Sequence, residues 1–192
     1  MHKMQMDRPQ VVLGSRSVVL VGANVDDRPN FMTVGACGGA NLEPPMISVA
    51  IRHERYTFKG IRQNMTFSVN VPSIDLVKET DYCGLVSGFD VNKVEACQFK
   101  VFYGRLKNAP LVEQFPINME FTVAHFLNLG SNMLVIGKLE ETHISETCLT
   151  NGKPDVEKMK TFIFTREPEN RYLAVGQFIA KSHSIGKVLK KG

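Results

Sequence analysis

No stretch of this chain comes near the roughly 18 consecutive apolar residues of a membrane-spanning helix, and its first ten residues, MHKMQMDRPQ, hold no apolar core of the secretory kind. A cytoplasmic protein without membrane partners is the expectation. Cys37, Cys83, Cys97 and Cys148 stand apart, with no CxxC pair and no paired spacing of the kind metal sites use. Reduced thiols follow, Cys37 among them as an inert one, since neither a resolving partner nor a pKa-lowering neighbour is visible in the sequence. The histidines, His2, His53, His125, His143 and His183, are equally scattered and form no HxxxH or His-Cys ligand set, so no metal is expected. No Ser-His-Asp or paired-carboxylate signature of hydrolysis is present. A G-x-G-x-x-G following a strand is also missing, which argues against a Rossmann dinucleotide domain. The formal charge of +4 is partly local, with Lys181, Lys187, Lys190 and Lys191 clustered in a basic tail of about residues 181–192. No basic stripe interleaved with aromatics accompanies it, so nucleic acid is not an expected partner.

What is present suits one domain over residues 1–192. The chain is 43% hydrophobic, with 15 Gly and nine Pro, and is long enough to bury a sizeable core. Strand patterns cover residues 17–23, 31–37, 46–52 and 66–71, then 98–103, 118–128 and 133–143. Asp26, Asp27, Arg28 and Pro29 read as the turn of a hairpin. Helical signals cover residues 56–63, residues 73–82 with Ser73 as N-cap, and residues 155–160 after Pro154. Short strands with few helices favour a mainly β fold, a closed antiparallel barrel rather than a doubly wound sheet.

The richest segment runs from Asn30 to Asn70. Two apolar strand patterns flank a Gly-rich and Pro-rich connection, and the second ends in Arg52, His53, Arg55, Tyr56 and Thr57 where a helix begins. Guanidinium forks, hydroxyls and free helix amides together suit a phosphate. Gly35, Gly38 and Gly39 are expected to leave backbone amides uncovered, so that a planar ring can approach the main chain. A charged loop capping a helix is the plainer alternative, and spacing alone does not choose between them.

Several ordered motifs carry a family resemblance. They are N-x-M-T at Asn30 to Thr33, Pro44-Pro45, R-x-x-x-Y-T-x-x-x-I from Arg52 to Ile61, and F-x-V-N from Phe67 to Asn70. D-Y-x-G at Asp81 to Gly84, Ser87-Gly88, Lys93, P-D-V-E at Pro154 to Glu157 and Y-x-A-V-G at Tyr172 to Gly176 continue the set. The chain resembles the flavin reductase-like family, most of all its flavoredoxin branch. The resemblance implies a Greek-key split β-barrel that binds FMN without covalent attachment, as a homodimer.

It also implies the site residues. Arg52, His53, Arg55, Tyr56 and Thr57 would hold the FMN phosphate, and Phe31, Met32, Thr33, Val34, Gly35 and Ala36 would meet the polar edge of the isoalloxazine, with Thr33 Oγ as a side-chain donor. Ser48, Val49, Ala50 and Ile51 would cover the ring or ribityl chain. Ser87 and Lys93 come from a loop that in the family often ends in Asp-Lys, whereas here the pair is Asn92-Lys93. Glu120, Tyr172 and Gly176 match the family too, with core or interface roles open for each. The implied activity is an oxidoreductase in which the flavin carries the chemistry, with no catalytic side chain. NADH or NADPH, or a protein, would donate electrons to a flavin or protein acceptor. A non-catalytic FMN carrier and, more distantly, a nucleic-acid-binding barrel remain alternatives on sequence.

Overall fold

The computed structural model describes residues 1–190, so Lys191 of the basic tail lies outside the described residues. Seven strands form the main sheet: β1 (Val19–Val25), β2 (Arg28–Val34), β3 (Cys37–Leu42), β4 (Pro45–Arg52), β5 (Thr66–Val71), β6 (Ile117–Asn128) and β7 (Asn132–Ile144). Their order is β2-β1-β5-β6-β7-β4-β3, and every pairing is antiparallel. The two end strands, β2 and β3, are consecutive in the chain. Gly35 and Ala36 link them, and the Ala50 N–H of β4 donates to the Ala36 carbonyl at 2.9 Å. The sheet is thereby curled into a split barrel of the mainly β class.

Burial on both faces explains the composition of β1, all seven of whose residues are buried. Side chains alternate along a strand. Val19, Val21 and Ala23 enter the barrel core with Met32, Val34, Val49, Ile51, Phe67, Val69, Phe121 and Val135. Leu20 points the other way, into a second core with Phe31, Cys83, Phe99, Val112 and Phe115. Helix α1 (Tyr56–Asn64) closes the first core with Phe58 and Ile61. Helices α2 (Val77–Leu85) and α3 (Lys93–Ala96) lie over the second, packed on β2.

Asparagines buried between these layers are paired, whereas the hydroxyl of buried Thr80 in α2 has no partner. Asn70, the last residue of the F-x-V-N motif, donates to the Leu20 carbonyl at 3.2 Å and accepts from Val112 N–H and Asn118 Nδ2 at 3.0 and 2.7 Å. An unpaired amide there would cost about 1–3 kcal/mol.

Several elements differ from the sequence reading. The strand expected over residues 31–37 is two strands, broken at Gly35-Ala36 where the chain crosses between the sheet's edges. Gly38 and Gly39, expected in the connection between two strands with amides uncovered by side chains, lie within β3 opposite Ser48 and Ile47, and nothing stands within 4 Å of an added Cβ at either. The helix expected from Ser73 is a 3-10 turn at Ile74–Leu76 followed by α2, and the Ser73 side chain makes no capping bond. Helix α3, capped by the Asn92 side chain, is too short to show periodicity. The strand expected at 98–103 shrinks to Val101–Phe102, paired with Leu111–Val112. After α4 (Val156–Met159), two strands absent from the sequence reading, β8 (Phe162–Thr165) and β9 (Arg171–Ala174), join Arg16–Ser17 in a second, three-stranded sheet. The hairpin turn stands at Asp26-Asp27, both in the left-handed region.

At Gly137 in β7 an added Cβ would lie 2.6 Å from Phe67 Cε1 and 2.9 Å from Phe121 Cβ, the two rings being stacked with centroids 5.2 Å apart. Gly137→Ala is therefore expected to destabilise the fold by about 1–3 kcal/mol through overpacking, read as a lower urea midpoint with an unchanged m-value.

Candidate functional site

Two adjoining cavities open where β2, β4 and α1 meet. The larger, about 630 Å³, is walled on one side by Met32, Thr33, Val34, Gly35 and Ala36 of β2 and its exit, and by Ala50, Ile51 and Arg52 of β4. The opposite wall comes from the small sheet. Arg16 lies opposite Phe164, and Phe164 opposite Tyr172, so the three share one face across its strands. Arg166, Asn170 and Asn132 extend that lining. The smaller cavity, about 310 Å³, is lined by Met32, Arg52, Glu54, Arg55, Tyr56, Thr57, Val86, Ser87, Gly88 and Lys93. Met32, Arg52 and Arg55 border both.

The donor set of the smaller cavity, hereafter the cradle, suits an anion. Helix α1 begins there with no side-chain cap and no acidic residue in its first turn, so its dipole is uncompensated, although the Phe58 N–H donates to the Arg55 carbonyl at 2.9 Å. Lys93, only 4% exposed, donates from Nζ to the carbonyls of Phe31 and Cys83 at 2.8 Å each. No carboxylate pairs with it among the described residues. Burial pulls its pKa below the usual lysine range, with Arg55 adding like-charge repulsion. An anion in this cavity would relieve both costs. Buried Thr57 accepts from Asn30 Nδ2 at 2.7 Å, which leaves its own proton free to donate. Ser87 Oγ accepts the Phe89 N–H at 3.2 Å and likewise keeps its proton. Only Glu54 brings negative charge to this lining, paired with Arg52 at 3.7 Å on the surface.

Gly88 explains the Ser87-Gly88 motif. A Cβ at this position would overlap Asn30 Oδ1, the amide that holds Thr57. Only a residue without a side chain lets the loop approach so closely.

Of the residues named from sequence, Met32 to Ala36, Ala50 to Arg52, Arg55, Tyr56, Thr57, Ser87 and Lys93 line one or both cavities. Four lie elsewhere. Phe31 is fully buried in the second core, edge-on to Phe99. Val49 is fully buried in the barrel core, and Ser48 donates to Gly38 O at 3.2 Å. His53 faces a separate surface groove, with Nε2 2.9 Å from Gly130 O. Thr33, read as a donor, donates its hydroxyl proton to the Thr80 carbonyl, so its oxygen is available only as an acceptor.

Arg16, Asn132, Phe164, Arg166 and Asn170 were missed, since they come from separated, weakly patterned segments. Asp81, Gly84 and Tyr172 gave a signal as motif residues, and Tyr172 Oη donates to Asp81 Oδ1 at 2.7 Å. Burial, reinforced by Asp81, raises the Tyr172 phenol. Cys37 packs against the barrel core, and burial pushes its thiol up to about 12. Glu120 is fully buried and accepts from the N–H groups of Gly104, Arg105 and Leu106, fixing that loop.

The chain resembles known proteins over most of its length. A flavoredoxin of Methanosarcina acetivorans is 37% identical, with a TM-score of 0.93 covering 99% of this chain and 100% of that one. The flavoredoxin of Desulfovibrio vulgaris (Miyazaki F) is 30% identical, with a TM-score of 0.89 over 96% of this chain and 100% of that one. An uncharacterized protein of Archaeoglobus fulgidus is 29% identical over 131 residues, 68% of this chain and 73% of its own. The model of the flavin reductase like domain matches residues 14–156, and the chain belongs to the flavin reductase-like family.

Proposed function

We propose that this chain is an FMN-dependent oxidoreductase of flavin reductase or flavoredoxin type, passing electrons from a reduced nicotinamide or protein donor to a flavin or protein acceptor. Membership of the family supports a flavin-related redox role. The observation that carries the finer reading is the adjacency of the cavities, a compact cationic cradle opening at Met32, Arg52 and Arg55 into a wider slot. FMN has that shape, a planar ring joined by a short chain to one terminal phosphate.

In this reading Arg52, Arg55, Lys93, Thr57, Ser87 and the first amides of α1 hold the phosphate. The main chain from Met32 to Ala36 and from Ala50 to Arg52 meets the ring. Bound FMN supplies the redox chemistry, and the polypeptide supplies position and electrostatics. Phe164 and Tyr172 form the opposite wall and exclude water from it. Arg16 and Arg166 make no ion pair among the described residues and lie on that wall, where they favour an anionic donor such as NADH or NADPH.

A cytoplasmic homodimer completes the proposal. No helix among the described residues is long and apolar enough to cross a membrane. Leu173, Val175, Phe178 and Ile179 are exposed in succession near the C-terminus, Phe178 at 76% and Ile179 at 94%. An apolar run of this kind marks a covered surface.

Anaerobic absorption spectra test the flavin assignment. FMN should bind with a perturbed visible spectrum and bleach on addition of NADH or NADPH, and Arg52→Ala should weaken binding roughly tenfold, about 1.4 kcal/mol. Bound FMN that stays oxidised would turn the reading to a carrier fed by another protein. An unperturbed spectrum would remove the cofactor assignment altogether. Light scattering should give twice the chain mass, and a flavin-loaded monomer would refute the dimer.

A further inference from the structure

Cys83 in α2 and Cys97 just after α3 face each other with their Sγ atoms 4.0 Å apart. Both belong to the second core, Cys83 only 1% exposed and Cys97 half-buried. The other thiols lie elsewhere, Cys37 against the barrel core and Cys148 beside the Lys158 carbonyl at 3.8 Å. The segment between the paired cysteines, residues 84–96, carries Ser87, Gly88 and Lys93 into the anion cradle. Lys93 is also bonded to the Cys83 carbonyl, so one end of this segment is tied to the cradle through the peptide next to the thiol.

A disulfide requires sulfur atoms about 2.05 Å apart, so each side chain has to move by only about 1 Å. We propose that Cys83 and Cys97 are a dithiol site that closes to an intramolecular disulfide and staples the cradle segment at both ends, slowing release of the bound phosphate group. Residues 84–96 must move away from α1 for the cradle to open, and a covalent link between their flanks restricts that motion.

The oxidant is a low-molecular-weight disulfide. Cys97, the more exposed partner, attacks it as thiolate, forming a mixed disulfide and expelling one small thiolate. Cys83, as thiolate, then attacks Sγ of Cys97, forming the protein disulfide and expelling the second. The protein loses two electrons and two thiol protons, and the small disulfide is reduced to two thiols. Burial raises both protein thiols above the ordinary cysteine range, so the exchange is slow at neutral pH and begins at Cys97.

The consequence for flavin release rests on the FMN reading, and the test separates the two. The full chain, loaded with FMN, is incubated with oxidised glutathione and digested without reduction for mass spectrometry. A linked Cys83–Cys97 peptide that disappears with dithiothreitol is expected, with FMN dissociation roughly threefold to tenfold slower in the oxidised protein. Cys97→Ser should keep the reduced protein's FMN affinity and abolish the change in rate. Hydrogen exchange over residues 84–96, measured without flavin, should also slow on oxidation. If FMN does not bind, the exchange result still decides the staple while the FMN reading falls. Thiols that cross-link only in urea, or a linked pair with unchanged dissociation and exchange, would overturn the proposal.

Discussion

A buried lysine with no carboxylate partner among the described residues organises this molecule. Lys93 Nζ reaches through the second core to the Phe31 carbonyl of β2 and the Cys83 carbonyl of α2, and so joins α3, α2 and the main sheet at one point. Burying an unpaired cation costs several kcal/mol, and two charge-assisted bonds to carbonyls return roughly 1.5–3 kcal/mol each. The two are of similar size, and an anion that approached would add to the return. Arg52, Arg55 and the uncapped start of α1 converge on the same cradle, concentrating like charge instead of neutralising it. Like charge so concentrated would lower the stability of the empty protein, and an anion bound there would restore it.

The double-sided hairpin of β1 and β2 makes this possible. Its inward side chains build the barrel core on which α1 packs, and its outward side chains build the second core that seats α2 and α3. Both halves of the cradle are therefore referenced to one rigid pair of strands. Gly88 against Asn30, and Asn30 to Thr57, connect the two halves directly. The slot beyond the cradle is built differently, since its far wall belongs to a separate three-stranded sheet made from segments at both ends of the fold.

Local sequence was informative wherever one continuous segment performs one task. The strand ending at Arg52, the helix starting at Tyr56 and the turn at Asp26-Asp27 follow from alternation, apolar spacing and turn residues. Local sequence is silent where neighbours decide. Gly38 and Gly39 became strand because β4 offers hydrogen bonds to them. Phe31 sits inside a cavity-lining strand, but strand alternation turns it towards Phe99. His53 belongs to a basic turn yet faces Gly130, because the chain reverses between β4 and α1.

By itself, the sequence determined the mainly β class, the family, and the basic turn from Arg52 to Thr57, since all of these reside in short-range pattern and ordered motifs. Tertiary structure alone decided that Lys93 is buried on two carbonyls, that Gly88 serves Thr57 through Asn30, and that Arg16, Phe164 and Tyr172 form one wall. It likewise brought Cys83 to Cys97. Those relations join residues far apart in the chain, and nothing in local propensity encodes which distant side chains a curled sheet will place face to face.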